Sequence, residues 1–436
     1  MRSVKLSLLA ALGVVVIESA ASGGSVPRWE PLGLGINEPA SAYNSGSVRA
    51  LAVMPNGDLI AAGDFAFAGS VSASNIARWD GRDWHAMGSG FGNGSVNSVL
   101  ALPDGTVWAA GARYNPSYQP FIARWTGSDW VDVGGLVGGP ERRFVFSLAR
   151  LPSGDIVAGW RDGFPSYSGG VSVWNGSGWS QLGSSFSSAI FDLLVRDDGS
   201  IVAGGSFLSA SGASATNIAL WQGSLWMPMG QGLPGDAVAA ISEGEDGSLY
   251  GGGSFTLNGS FGASSGVAKW TGLNWEPLGA GLGGSAYALQ HLSGDRLVAG
   301  GTFLYDSPIE GAGYIAMWQD GNWTRLGPSG LNQHVYALAR LPDGTLVAGG
   351  AFTMAGSLLV NRVAAWVTPP ECQADLNRDL VVDDADFVIF AAHYERLICT
   401  DSEMPIGCPS DLNGDGTVDD ADFVQFAAAY GDLVCP

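Results

Sequence analysis

Val335-Tyr-Ala-Leu-Ala-Arg340-Leu-Pro-Asp-Gly-Thr345-Leu-Val-Ala-Gly-Gly350-Ala-Phe352 reads as two short strands folded around a turn. The turn is Pro342-Asp343-Gly344: a residue with fixed φ, a side chain that bonds its own backbone, and a residue free to take positive φ. Working outward, the same pattern recurs between residues 29 and 366 with a period of about 48, marked by Trp79, Trp125, Trp174, Trp221, Trp270, Trp318 and Trp366. Each of these tryptophans closes a strand of the Ile-Ala-Arg-Trp kind. A second set, Trp29, Trp84, Trp130, Trp179, Trp226, Trp275 and Trp323, opens a further strand such as Trp29-Glu-Pro-Leu-Gly33 or Trp275-Glu-Pro-Leu-Gly279. Each unit therefore holds four strands.

Four short strands at this period predict an all-β fold built by radial repetition, a seven-bladed β-propeller with four-stranded blades; a β-helix would repeat in shorter steps. Phase adds a topological expectation. The series begins at Trp29 with the fourth kind of strand and ends at Trp366 with the third. The N-terminal strand should therefore complete the last blade, and closure removes open sheet edges.

The Gly-Gly pairs at 204–205, 252–253, 300–301 and 349–350, followed by an aromatic and then a Trp, resemble kelch repeats across residues 29–366. Departures are the five-residue interval between the two tryptophans of a unit, as in Trp79 to Trp84, and the broken doublets at Ala110-Gly111 and Gly159-Trp160. The resemblance implies shape and leaves purpose open.

Around this body the chain divides further. Arg2 and Lys5, the apolar run Leu6–Ile17 and Ser19-Ala-Ala-Ser22 have the order of a secretory signal peptide over 1–22, with cleavage after Ala21 or Ser22. The run is shorter than the about 20 residues of a membrane span, and no later stretch is apolar enough, so the mature chain is expected to be exported without a span. The propeller is expected over 23–367. Thr368-Pro369-Pro370 forms a stiff linker, and 371–436 forms a second domain.

Net charge is −21, and the tail 371–436 carries fifteen Asp or Glu against two Arg, so −13 of it sits there. No basic patterned stretch appears, which argues against nucleic acid as a partner. With 66 Gly, 16 Trp and only 14% charged residues, the body is too apolar and aromatic for disorder.

The tail repeats one unit after 36 positions: Cys372-Gln-Ala-Asp375-Leu-Asn377-Arg-Asp379-Leu-Val-Val-Asp383-Asp-Ala-Asp386-Phe and Cys408-Pro-Ser-Asp411-Leu-Asn413-Gly-Asp415-Gly-Thr-Val-Asp419-Asp-Ala-Asp422-Phe. A Ca²⁺ ion takes six to eight oxygens at about 2.3–2.6 Å, which a twelve-residue loop supplies from positions 1, 3, 5, 7, 9 and 12. The predicted ligands are Asp375, Asn377, Asp379, the Val381 carbonyl, Asp383 and Asp386 in the first loop. In the second they are Asp411, Asn413, Asp415, the Thr417 carbonyl, Asp419 and Asp422. Position 6 favours Gly; the second loop has Gly416, while Leu380 in the first is strained there by roughly 1–2 kcal/mol, so the first site is expected to bind more weakly. Each loop runs into an apolar stripe at helical spacing, Phe387, Phe390, Ala391, Tyr394 and Phe423, Phe426, Ala427, Tyr430.

A loop followed by one helix, duplicated, resembles the type I dockerin over 371–436, a small α-helical calcium-binding domain. The resemblance implies a cohesin-type partner or surface scaffold. It also implies that loop positions 10 and 11, Asp384-Ala385 and Asp420-Ala421, select that partner and, being identical, permit two docking orientations.

All four cysteines, Cys372, Cys399, Cys408 and Cys435, lie in the tail, and an even count in a secreted chain reads as two disulfides. Antiparallel helices would favour Cys372 with Cys435 and Cys399 with Cys408; pairing within each copy remains the alternative.

Catalytic chemistry does not stand out. Copper oxidases among kelch-like propellers need paired histidines, tyrosines and a crosslinked cysteine, whereas the body has no Cys and its histidines, His85, His291 and His334, fall at three phases of the repeat. Glycoside hydrolysis needs two carboxylates roughly 5 to 9.5 Å apart; Asp64, Asp192, Asp236 and Asp306 depart from the repeat consensus, but spacing pairs none of them. The aromatics Tyr114, Tyr118 and Tyr305 sit in variable connections suited to stacking on a glycan. The expectation is a secreted, non-catalytic interaction protein with a calcium-dependent tail; the alternative is a carbohydrate-active hydrolase or lyase recruited by the same tail.

Overall fold

A computed structural model of the chain describes residues 27–37, 46–114, 118–134, 143–163, 166–259, 262–292, 294–303, 313–327, 330–367, 376, 384–394, 410, 412 and 417–432. The expected signal peptide, the Pro linker and the four cysteines lie outside these residues. The chain divides into two compact units, one spanning Arg28–Val367 and one holding the residues from Thr368 onward.

In the first unit the described residues form seven four-stranded antiparallel sheets. Sheet 1 runs Ser47–Val53, Leu59–Asp64, Ile76–Trp79 and Trp84–Ala86, and sheets 2 to 6 repeat this order through Arg325. Sheet 7 takes Val335–Arg340, Leu346–Gly350 and Val363–Val367 from the end of the unit and its fourth strand, Arg28–Pro31, from the beginning, with Trp29 opposite Trp366. The first strand of every sheet touches the first strand of the next, and Val335–Arg340 touches Ser47–Val53. The sheets thus form a closed ring with the first strands innermost.

Local chemistry explains each corner of the unit. In the turn between first and second strands, Asp343 Oδ1 accepts the Thr345 N–H at 2.9 Å, and Gly344 takes φ 88°; Asp104, Asp198 and Asp246 repeat the carboxylate bond at 2.8–2.9 Å. The second strand Leu346–Gly350 is buried along its whole length. Its glycine doublet has two separate causes. A Cβ on Gly349 would stand 2.5 Å from Val48 of the neighbouring sheet, and one on Gly350 would stand 2.1 Å from the His334 carbonyl of its own sheet. Sheet 3 breaks the doublet with Trp160, which is accommodated because Gly170 opposite has no side chain and Ser172 Oγ accepts the indole N–H at 3.0 Å.

Third and fourth strands meet through the two tryptophan sets. In all seven sheets the pair lies directly opposite, with ring centroids 5.2–5.6 Å apart. The second tryptophan also ties sheets together. Nε1 of Trp84, Trp130, Trp226 and Trp323 donates to the carbonyl of Leu32, Met87, Leu182 and Leu278, each in the preceding unit, at 2.8–3.0 Å. Nε1 of Trp29, Trp179 and Trp275 is buried without such a partner. The residue before the third strand makes a further tie: Asn75 and Asn217, both at positive φ, donate to the carbonyls of Gly92 and Gly94 and of Leu233 and Gly235, and Arg362 donates to those of Ile36 and Gly46.

The apolar core is correspondingly divided. Seven clusters of buried residues lie one at each junction between neighbouring sheets, for example Val298 and Ile315 of sheet 6 with Val335, Leu346 and Trp366 of sheet 7.

The second unit contains α1 (Asp384–Tyr394) and α2 (Asp420–Asp432). Phe390 stacks on Phe426 at 4.9 Å, while Phe387 meets Phe426 and Tyr394 meets Phe423 at 6.0 and 6.5 Å; contacts that descend one helix while climbing the other make the pair antiparallel. The apolar stripes are narrower than their spacing predicts: Phe390 and Phe426 are buried, but Phe387 and Phe423 are exposed. Two helices alone cover only the centre of each stripe. Among the described residues no helix is long and apolar enough to cross a membrane.

Trp84→Phe, which loses the bond to Leu32, should lower the unfolding free energy by about 1 kcal/mol more than Trp275→Phe, which has no such bond to lose. Urea unfolding of the two variants followed by fluorescence checks the difference.

Candidate functional site

In the tail, Asp375, Asn377, Asp379, Val381, Asp383, Asp411, Asn413 and Asp415 lie outside the described residues. The two position-12 carboxylates, Asp386 and Asp422, open α1 and α2 and are fully buried. Burying a carboxylate is costly unless polar partners or a cation compensate it. Asp422 Oδ1 accepts the Leu412 N–H at 2.7 Å and Oδ2 accepts the Asp419 N–H at 2.9 Å, which folds the loop back over the helix start. Asp419 Oδ1 in turn accepts the Ala421 N–H at 2.8 Å. Carboxylates are the donors a hard divalent cation takes, but among the described residues no group of three or more His, Cys, Asp or Glu is placed to hold a metal ion. Of the residues expected to select a partner, Asp420 is exposed and accepts a hydrogen bond from the Tyr394 hydroxyl, and Ala421 is exposed; the side chains of Asp384 and Ala385 are outside the described set.

In the ring, a second feature was not foreseen. Every innermost strand carries a β-bulge at the same place, where one extra residue has no partner in the ladder. Bulges re-aim side chains and recur beside functional sites. Sheets 1 to 7 place there Arg49, Asn97, Phe146, Phe191, Ala239, Tyr287 and Tyr336, each at least partly exposed. They face the second strands near their ends, so the bulges cluster toward the end of the central channel from which the second-to-third strand connections leave. Three of those connections, in sheets 1, 4 and 7, carry short hairpins of their own, such as Phe67–Ala68 with Val71–Ser72.

Two pairs of neighbours in this circle touch. Phe146 and Phe191 meet edge to face at 5.3 Å, and Tyr287 and Tyr336 stack at 6.0 Å. Asn97 donates to the Val145 carbonyl at 3.1 Å, and Arg49 stands 3.9 Å from Asp64. Burial holds the Tyr336 phenol above its usual pKa, with Arg49 pulling it back and Tyr287 pushing it further up. Tyr336 OH and His334 Nδ1 lie 3.2 Å apart, and Tyr314, at φ 65°, packs its ring on His334.

Directly after the bulge, a side-chain oxygen can reach the inner strand of the next sheet. Ser98 Oγ accepts the Leu148 N–H at 3.0 Å, Ser147 Oγ accepts the Leu193 N–H at 3.1 Å, and Asp192 Oδ2 accepts the Ile241 N–H at 2.7 Å. Asp192 also accepts from its neighbour's N–H and from Ser147 Oγ. Protein encloses its carboxyl although the residue keeps a strip of exposed surface; desolvation outweighs the three hydrogen bonds and pushes its pKa up to about 6.

The other residues singled out by sequence are dispersed. Asp64, Asp192 and Asp236 lie on sheets 1, 4 and 5, and Asp306 and Tyr305 are outside the described residues. Tyr114 and Tyr118 face each other across a hairpin of sheet 2. His85 is held by Asp80 at 2.6 Å, and His291 is buried against Tyr250. The bulge circle had a signal in the sequence: the residue before it is apolar in every unit, while the bulge residue itself ranges over Arg, Asn, Phe, Ala and Tyr.

No family model and no curated protein matches the chain. Among solved structures it is similar to the WD40 β-propeller domain of Doa1, at TM-score 0.51 and 13% identity over 78% of this chain and 98% of that one. It is also similar to YCF48 bound to D1 peptide, at TM-score 0.50 and 14% identity over 77% of this chain and 99% of that one. The GH74 xyloglucanase from Xanthomonas campestris matches at TM-score 0.50 and 16% identity over 74% of this chain and 52% of that chain. The ring is a β-propeller. At these identities the likeness establishes the propeller fold alone.

Because the folded chain holds the Asp192 proton up to about pH 6 while the unfolded chain releases it near 3.8, stability should fall as pH rises through this window and then level off. Relative to Asp192→Asn, whatever constant offset that substitution brings, the parent should lose about 3 kcal/mol between pH 3.5 and pH 7. Denaturant unfolding across the pH range checks the slope, and a carboxyl ¹³C titration midpoint near 4 would contradict it.

Proposed function

We propose that this is a secreted, non-catalytic binding protein. A seven-bladed, kelch-like propeller presents a ligand face, and a calcium-loaded, dockerin-like tail anchors it to a cohesin-type domain or surface scaffold. The observation that carries the tail reading is the paired burial of Asp386 and Asp422 at the starts of two antiparallel helices. Beside them an apolar pair is repeated with near-identical exposure: Phe387 and Val388 at 44% and 66%, Phe423 and Val424 at 43% and 67%. Equivalent patches on two symmetry-related helices suit a partner that docks in either of two orientations. Calcium would be held by the loop carboxylates, and the charge it neutralises is what allows so acidic a segment to pack.

The propeller reading rests on the seven sheets, their closing strand and the partly exposed circle at the channel. The alternative, an extracellular hydrolase or lyase brought by the same tail, draws on Asp192, whose pKa suits an acid, and on the shared fold with a xyloglucanase. Against it, the Asp192 oxygens are already engaged by Ser147, Leu193 and Ile241, which is how a structural carboxyl is held.

In the full chain, Asp411→Ala with Asp422→Ala should lower calcium affinity by at least tenfold and abolish calcium-dependent capture of the partner. Titration calorimetry and pull-down from the extracellular fraction, with and without chelator, check both; capture that persists in excess chelator contradicts the link.

A further inference from the structure

The bulge circle is not seven equal positions. Tyr287, Tyr336, Arg49 and Asn97 follow one another on sheets 6, 7, 1 and 2 and bring hydroxyl, guanidinium and amide donors. Phe146, Phe191 and Ala239 follow on sheets 3, 4 and 5 and bring none. The inner-strand amides divide the same way. On sheets 3, 4 and 5 the N–H groups of Leu148, Leu193 and Ile241 are capped by Ser98, Ser147 and Asp192. On sheets 6, 7, 1 and 2 the capping position of the preceding sheet is Ala240, Ala288, Ala337 or Ala50, which has no side-chain oxygen to offer. The bulge positions of one half are therefore apolar with the amides that follow them capped, and the bulge positions of the other half carry donors.

We infer that this end of the channel binds an acidic sugar, a pyranose bearing a carboxylate, with the carboxylate on Arg49 and the apolar face of the sugar ring between Phe191 and Tyr287 over Ala239. Arg49 is the cation of the circle; it keeps 46% of its side-chain surface exposed and meets Asp64 only at 3.9 Å, the outer limit of an ion pair. Guanidinium recognises a carboxylate through two parallel N–H donors. Ala239 separates the two aromatic pairs with the smallest side chain of the circle; aromatic rings can pack on the C–H surface of a sugar, while the Tyr287 and Tyr336 hydroxyls can bond its oxygens. A bare anion would gain nothing from Phe146 and Phe191, and a neutral ligand nothing from Arg49. This inference rests on the propeller being a binding module and names the ligand of that module.

The test is calorimetric titration of the full chain with a uronic-acid trisaccharide, its methyl ester, the free uronic acid and acetate. The trisaccharide should bind at least tenfold more tightly than its ester, and acetate should show no binding. Tighter binding of the trisaccharide than of the free acid places the source in a glycan chain; equal binding places it in the free sugar acid, and either agrees with the site. Arg49→Gln should weaken trisaccharide binding tenfold or more at unchanged melting temperature. Ala239→Phe should put a ring between the two aromatic pairs and abolish it; if that variant melts early, Tyr287→Ala should cost tenfold instead. Equal affinity for acid and ester, full binding by Arg49→Gln, or binding of peptides but of no sugar overturns the inference. Lack of sugar binding with intact calcium-dependent capture removes the site and leaves the anchored-protein reading. Cleavage of the trisaccharide removes the non-catalytic reading and leaves the site.

Discussion

No sheet of the ring owns a hydrophobic core. Each apolar cluster is shared by two neighbouring sheets, so a sheet removed from the ring would expose two apolar faces at once, and the free-energy gain of burial comes only with closure. This constraint explains the close approaches that recur around the circle. The first glycine of the doublet admits a valine from the next sheet, and the indole N–H of the fourth strand reaches a carbonyl of the sheet before it. Local strand pairing builds the units; contacts between units hold them.

The same constraint sets where variation is tolerated. Positions that touch both neighbours repeat almost without change: the tryptophan pair, the small residues of the second strand, the apolar residue before each bulge. The bulge residue is released from the ladder and stays at least partly exposed, so it can be arginine in one unit and alanine in another at little cost to the fold. Function on a repeat scaffold is thus concentrated where the packing symmetry makes no demand.

Much of this architecture was legible in the sequence. The tryptophan series carried the period, and its phase, starting on the fourth strand and ending on the third, carried the closing strand. The bulges were hidden because they occur in every unit: an insertion repeated each time leaves the period intact and cannot be seen as an irregularity. The role of Asp192 was hidden for another reason, since its partners Ser147 and Ile241 lie on two other sheets and only the closed ring brings them within reach. In the tail, helical spacing identified the helices but overstated their buried face, because Phe387 and Phe423 meet the facing helix only at the edge of its stripe and stay exposed.

The pairing of Arg28–Pro31 with Val363–Val367 also imposes an order in time. The strand made first receives its partner last, after more than three hundred intervening residues have emerged from the ribosome. Until then the growing polypeptide has a vacancy at each end of an unfinished circle, and its cooperative stability arrives all at once with the final strand.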